Sequence, residues 1–331
     1  MTLQLTRLQL VLATTCLLPA LSPTAQAQAP SGSAVSIVVP YPAGGMSDVL
    51  ARAIAPRLGK QLGRTVIIEN VTGASGSIAA AKVLNAPANG NLLFMGSSTE
   101  VVLAPLTIKA VKYKASDFRL LGLVSSGPLA LYVRGDLPVN SVDELLAYAK
   151  RPGAKELSYG SIGPGSLFHL AGDSLRAAAG IGAVHVPYRG GMPLFQDLMG
   201  GSVDMAVIPA DGLIAKLVES GKIKALAVAS PTRSPRLPNV PTFAESRALP
   251  RFVAPPVWIG VLAPAATPEP VVAQLHKALN DTLSMPEVRQ ALDAAGGTQA
   301  PPMTLAQSFA FLQSETAKLG ALAKAAKLEP N

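Results

Sequence analysis

Cysteine is nearly missing from this 331-residue chain: there is one, Cys16, near the N-terminus. An internal disulfide is excluded, and a thiol nucleophile would depend on that single residue. Histidine is scarce as well. His169, His185 and His276 form no pair four apart and no H-E-x-x-H, so the sequence offers no zinc site. Aromatic residues make up 5%, and the 28 Lys and Arg against 20 Asp and Glu, a net charge of +8, are dispersed and form no stripe. Such a chain lacks the stacking surfaces and basic track that nucleic-acid binding uses. No G-x-S-x-G elbow is present, and the Gly-rich stretches fit neither G-x-G-x-x-G nor G-x-x-x-x-G-K-[ST]. Charged residues are only 15% against 49% hydrophobic, which argues for a folded chain with a sizeable core. Beyond the N-terminus no apolar run reaches the 18 or so residues that a membrane helix needs, so a soluble protein is expected.

The N-terminus is where the first positive signal lies. Arg7 precedes an almost uncharged run from Leu8 to Leu21, and Ala25-Gln26-Ala27-Gln28-Ala29 follows. A basic residue, a short apolar stretch and a small-x-small site make up a secretory signal peptide, which assigns residues 1–29 to a leader cleaved after Ala27 or Ala29. Cys16 lies inside it, and Thr14 and Thr15 fit a lipid-anchor signal poorly. The mature protein is then exported without cysteine.

Downstream, strands and helices alternate. Val35–Val39 reads as a strand. Pro40-Tyr41-Pro42-Ala43-Gly44-Gly45 reads as a tight loop, after which the pattern restarts at Val49 as a helix that runs to about Leu62, bent at Pro56 and ended by Gly63. A strand–Gly-Gly–helix junction presents unpaired N–H groups and the positive end of a helix dipole, a ready place for an anion. The same sequence also suits a turn that merely connects two elements. Further Gly/Ser stretches follow strands at Val71–Ser77, Gly96–Thr99 and Gly160–Ser166, and the spacing predicts mostly parallel sheets with covered faces. Leu129–Val133 reads as a strand crossing between two lobes, and Trp258–Leu262 as one crossing back. The C-terminal segment is helical, with starts near Pro268, Pro286 and Thr304.

One pattern recurs. Val39-Pro40-Tyr41-Pro42-Ala43-Gly44-Gly45-Met46 and Val186-Pro187-Tyr188-Arg189-Gly190-Gly191-Met192 match with one residue deleted, each following a strand and opening a helix. Two lobes presenting such loops to one shared cleft would make a binding site at a domain interface. The equipment there is rich in donors and poor in catalysts. Ser47, Ser97, Ser98, Thr99, Ser161 and Ser166 offer hydroxyls, and the glycines offer backbone N–H groups. Arg189 could grip a carboxylate bidentately or stand solvated at the surface. His169, one turn into a helix, could bond a neighbouring loop or a ligand.

The leader, Val39–Asp48, Ile67-Ile68-Glu69-Asn70 and Tyr159-Gly160-Ser161 through His169-Leu170-Ala171 stand in a distinctive order. It continues through His185–Gly190, Lys224–Val228, Pro238–Thr242 and Trp258–Pro264. Together they resemble the substrate-binding proteins of tripartite tricarboxylate transporters, the Bug family, from about Ile37 to the C-terminus. The resemblance implies an α/β fold with two lobes, a periplasmic binding protein of the type II kind with its ligand cleft between lobes joined by crossing strands. Domain 1 would comprise 34–129 and 254–331, and domain 2 would comprise 130–253. It further implies a monomer that binds a small organic acid, without cofactor or catalysis, and delivers it to a membrane permease of one large and one small subunit. Carried over by position, the ligand-binding residues would be Tyr41, Ala43, Gly44, Gly45, Ser47 and Asp48 in the first loop, then Ser97 and Ser98. From the second lobe come Ser161, Gly165, Ser166 and His169, with Tyr188 and Arg189 opposite. Asp48 is expected to act as a scaffold for loop amides, since its charge would repel an anion. The chain departs from the family pattern at Val71-Thr72, where an arginine usually follows Glu-Asn. It departs again at Ile208-Pro209, where relatives carry Asp-Asn, with Asp211 nearby. Two other readings stand beside this one: a ligand-sensing receptor for a signalling system, and a secreted hydrolase or isomerase using His169 or Asp211.

Overall fold

The computed structural model describes residues 33–325. The leader, its cleavage site and Cys16 lie outside them. Two five-stranded sheets form the frame. The first contains β1 (Val35–Val39), β2 (Val66–Asn70), β3 (Leu92–Ser97), β4 (Phe118–Gly127) and β10 (Val257–Pro264), in the order β2-β1-β3-β10-β4. The second contains β5 (Leu129–Arg134), β6 (Leu157–Ser161), β7 (Ala183–Pro187), β8 (Met205–Pro209) and β9 (Ile223–Val228), in the order β7-β6-β8-β5-β9. The helices are α1 (Met46–Leu62), α2 (Ser77–Leu84), a single turn α3 (Ala104–Thr107), α4 (Val142–Ala149) and α5 (Leu167–Ala179). They continue as α6 (Gly191–Gly200), α7 (Gly212–Glu219), α8 (Glu269–Ser284), α9 (Pro286–Ala294) and α10 (Leu305–Ala325).

The two sheets have the same plan. In each, three strands pair in parallel, and the fourth in spatial order, β10 or β5, runs antiparallel to both neighbours. The sheets are therefore mixed, a correction to the mostly parallel arrangement expected from alternating elements. The antiparallel strand is the one that enters each lobe from the other. β4 ends the first lobe's run, and β5 begins in the second sheet after Pro128 alone, so the crossing lies at that residue and not within β5. β10 returns the chain and lies wholly in the first sheet.

Strand burial follows from helices on both faces. Val35, Ile37 and Val39 join one apolar cluster with Leu50, Ile54 and Leu58 of α1 and Val272, Leu275 and Leu279 of α8. Val38 points the other way, into a cluster with Ala79 and Val83 of α2, Phe94, and Leu319 of α10. The period-2 alternation of strand side chains thus delivers apolar residues to two covered faces, which is why β1 reads as an unbroken apolar run. α1 continues through Pro56 and stops at Gly63, whose φ of 63° is the left-handed C-cap conformation. The Gly96–Thr99 stretch is not the loop expected: β3 runs to Ser97, and after Ser98 a helical turn begins at Thr99.

Candidate functional site

The strand ends of both sheets point at the seam between the lobes, and the two Gly-Gly loops meet there. A Cβ on Gly190 would lie 3.1 Å from Pro42 Cδ. Other contacts close the seam. Ser75 Oγ donates to the Pro164 carbonyl at 2.8 Å, Leu167 N–H to Thr99 Oγ1 at 3.1 Å, and Gly212 N–H to the Gly296 carbonyl at 3.0 Å. Gly165, at φ 74°, approaches Thr107 so closely that a Cβ would stand 2.1 Å from Thr107 Oγ1. The left-handed backbone and the missing side chain are both required at that position.

Two of the cavities along the seam share Tyr41 and Ile162. The inner one, about 90 Å³, is lined by Tyr41, Gly45, Met46, Ser47 and Ser97 from the first lobe, with Val257 and Ile259 of β10. The second lobe supplies Ile162, Phe168, Gly191, Met192, Phe195, Pro209 and Asp211. The outer one, about 600 Å³, takes in the Thr72–Gly76 loop, Thr107, Gly163, Pro164, Tyr188 and Arg189.

α1 and α6 both begin at the inner cavity, and their N-caps, Gly45 and Gly190, have no side chain to cap the helix. Their first-turn N–H groups therefore keep unmet hydrogen-bonding capacity, and the positive ends of two helix dipoles sit together. Asp48 shapes the first of these loops. Its carboxylate accepts from Gly44 N–H at 2.9 Å, Arg52 Nε at 2.9 Å and Asn70 Nδ2 at 3.0 Å, and Asn70 Nδ2 also donates to the Tyr41 carbonyl at 3.0 Å. Burial pushes the Asp48 carboxyl up, but these donors and the Arg52 charge outweigh it and hold the group below its ordinary value. Asn70 was legible only as part of the Glu69-Asn70 motif, with no role attached.

Several predicted donors turn out to be engaged within the protein. Tyr41 Oη donates to Glu100, whose other carboxylate oxygen takes the Ser97 N–H at 2.6 Å and the Ser97 hydroxyl at 2.7 Å. Glu100 is fully buried, and burial raises its carboxyl above the ordinary value despite these bonds. Nothing in the sequence marked it beyond an acid standing before the apolar run Val101–Ala104. Ser166 Oγ caps α5 by accepting His169 N–H at 3.2 Å and donates to the Gly163 carbonyl at 2.7 Å. Ser161 Oγ bonds Gly163 and stands 2.7 Å from His185 Nε2. His169 Nδ1 accepts Gly165 N–H at 3.1 Å, and its ring stacks on His185 with centroids 4.0 Å apart. Burial first, and the neighbouring His169 second, push His185 down to about 4. Tyr188 Oη donates to Asp197 at 2.8 Å. Ser98 Oγ is buried without a hydrogen-bond partner.

Of the predicted residues, Tyr41, Gly45, Ser47 and Ser97 line the inner cavity, and Tyr41, Tyr188 and Arg189 line the outer one. Ala43, Gly44, Asp48, Ser98, Ser161, Gly165, Ser166 and His169 line neither of the two; most of them build the loops that do. Phe168 and Phe195 carried no functional signal, because apolar helix residues read as core, and Met192 was marked only as the last residue of the repeated pattern. No cluster able to hold a metal ion occurs among the described residues.

Residues 50–328 match the family described as tripartite tricarboxylate transporter family receptor, TctC. The chain belongs to this family. It is 34% identical to Protein BugT of Bordetella pertussis over 269 residues, 80% of each chain. Among solved structures it resembles the periplasmic binding protein BugD, with a TM-score of 0.81 and 32% identity over 91% of this chain and 100% of that one. It also resembles R. palustris Rpa4515 with adipate, with a TM-score of 0.83 and 32% identity over 91% and 99%. The family is thus one of transporter receptors, and BugD, whose fold this chain shares, is a periplasmic binding protein. Among the described residues no helix is long and apolar enough to cross a membrane.

Proposed function

We propose that this receptor captures a small organic acid between its lobes in the periplasm and hands it to a tripartite tricarboxylate-type permease of one large and one small membrane subunit. The observation that carries this reading is the convergence of two uncapped helix N-termini, Gly45–Ser47 and Gly190–Met192, on one cavity between the lobes. Gly45 N–H donates to the Pro42 carbonyl at 3.3 Å, so an acid's carboxylate would lie between the helix starts held by the next N–H groups, Met46 and Ser47 of α1 and Gly191 and Met192 of α6. Division of the chain near residues 130 and 253 would let the lobes hinge open and close over the ligand. The adipate bound by Rpa4515 is consistent with a carboxylate as the recognised group.

Gly45 has φ −74° and ψ 166°, open to any residue, and a Cβ there would meet only the Pro42 carbonyl, at 3.3 Å. Gly45→Val should therefore fold while filling the space in front of the α1 N-terminus. A thermal-shift screen of organic acids, with mass spectrometry of small molecules released from the purified protein, tests the reading. A ligand at 100 times its Kd should add about 2.7 kcal/mol of stability in the wild type and little in the variant. Equal stabilisation of both would remove this loop from the site.

A further inference from the structure

The inner cavity is asymmetric in chemistry: an anion-attracting end where α1 and α6 start and, beyond it, side chains that offer a second anion no cation. Among the described residues that line it there is no Arg, Lys or His. The second-lobe wall is formed by Ile162, Phe168, Met192 and Phe195, closed by Pro209 and by Val257 and Ile259 of β10. Its acidic residue is Asp211, 7% exposed, whose carboxylate accepts Ile214 N–H at 3.0 Å as the N-cap of α7. A second buried acid, Glu100, stands directly behind Tyr41 and Ser97. Arg189 is exposed and lines the outer cavity instead.

We infer that the ligand of this cavity is a monocarboxylate with an apolar body, aliphatic or aromatic, and that Phe168, Met192 and Phe195 set this preference by leaving a second carboxylate without a donor. The inference rests on the carboxylate-binding reading above and narrows it. A second carboxylate brought against these apolar side chains would lose its water and gain no cation in exchange. An alkyl or aryl body in the same place loses only water-exposed apolar surface, which is favourable.

Matched acids isolate the effect, because they differ by one carboxylate: hexanoate against adipate, and benzoate against terephthalate. Isothermal titration of ligand-free protein should show the monoacid binding at least tenfold tighter than its partner. The acid released on denaturing the purified protein should be a monoacid. A diacid bound as tightly as its partner or more so, or a diacid released from the purified protein, overturns this inference and leaves carboxylate binding standing. If no acid binds and none is released, the carboxylate-binding reading falls and this one with it. Met192, 39% exposed, can be replaced without disturbing the core. Met192→Arg should bring the hexanoate-to-adipate ratio close to one through a gain in adipate affinity, with the unliganded melting temperature unchanged. An unaltered ratio in a folded variant would show that this wall does not choose the ligand.

Discussion

Gly190 offers a way to separate closure of the lobes from stability of the fold. Its backbone, at φ 167° and ψ 177°, is extended and open to any residue. A Cβ there would lie 3.1 Å from Pro42 Cδ and 3.7 Å from Pro42 Cγ, both across the seam. In Gly190→Val the γ carbons extend beyond that Cβ, toward the Pro42 ring. Overpacking of this kind costs about 1–3 kcal/mol, and only the closed arrangement bears it. Within the second lobe, valine at an N-cap loses up to about 1 kcal/mol relative to glycine. Stiffening the unfolded chain returns about 0.4–1 kcal/mol, so the two nearly offset. Unliganded stability should then change by less than about 1 kcal/mol, while affinity for a cleft ligand falls about 5- to 150-fold. Calorimetric titration of the ligand beside thermal unfolding of the unliganded variant reads both quantities. Wild-type affinity in Gly190→Val would show that the ligand-bound state does not need Pro42 and Gly190 in contact. A loss of unliganded stability as large as the loss of affinity would show that the contact belongs to folding rather than to closure.

Three further outcomes are expected. His185, lowered from 6.5 to about 4, contributes stability that is present above about pH 6.5 and lost as pH falls toward 4. After discounting for its half-exposed ring this amounts to on the order of 1 kcal/mol, and His185→Phe should flatten that limb in urea melts. Glu100, raised by burial, contributes in the opposite sense: stability is greatest at low pH and declines as the carboxyl ionises. Glu100→Gln, which keeps an acceptor for Ser97 N–H, should match or exceed the wild-type urea midpoint at pH 8 and lose that advantage at pH 5. Arg189, exposed at the mouth, should act on encounter and not on the inner cavity. Stopped-flow binding to Arg189→Ala should show a slower association at low salt that converges with wild type at high salt, with dissociation unchanged.

Local chemistry made much of this protein readable in one dimension. Gly63 and the starts near Pro268 and Pro286 punctuate helices through their own backbone preferences, so the end of α1 and the starts of α8 and α9 stand where the pattern places them. The repeated Pro-Tyr…Gly-Gly pattern announced two equivalent loops, and their meeting at Pro42 and Gly190 follows the expectation of a shared cleft. The antiparallel insertion of β5 and β10 was not readable, because strand partners are chosen by long-range pairing and not by the strand's own residues. The same limit applies to the hydroxyls. A serine in a Gly-rich stretch looks like a free donor in sequence, yet Ser97 is engaged by Glu100 and Ser166 by Gly163 and His169 once the chain folds. Motif order by itself pointed to the class of protein, since that signal is carried by each residue and its neighbours. Tertiary structure alone decided which groups remain available to a ligand: backbone N–H groups at two helix starts and an apolar wall from α5 and α6. Availability is what the pairing of polar groups within the fold leaves over, and partners come from both lobes, as Leu167 N–H and Thr99 Oγ1 show.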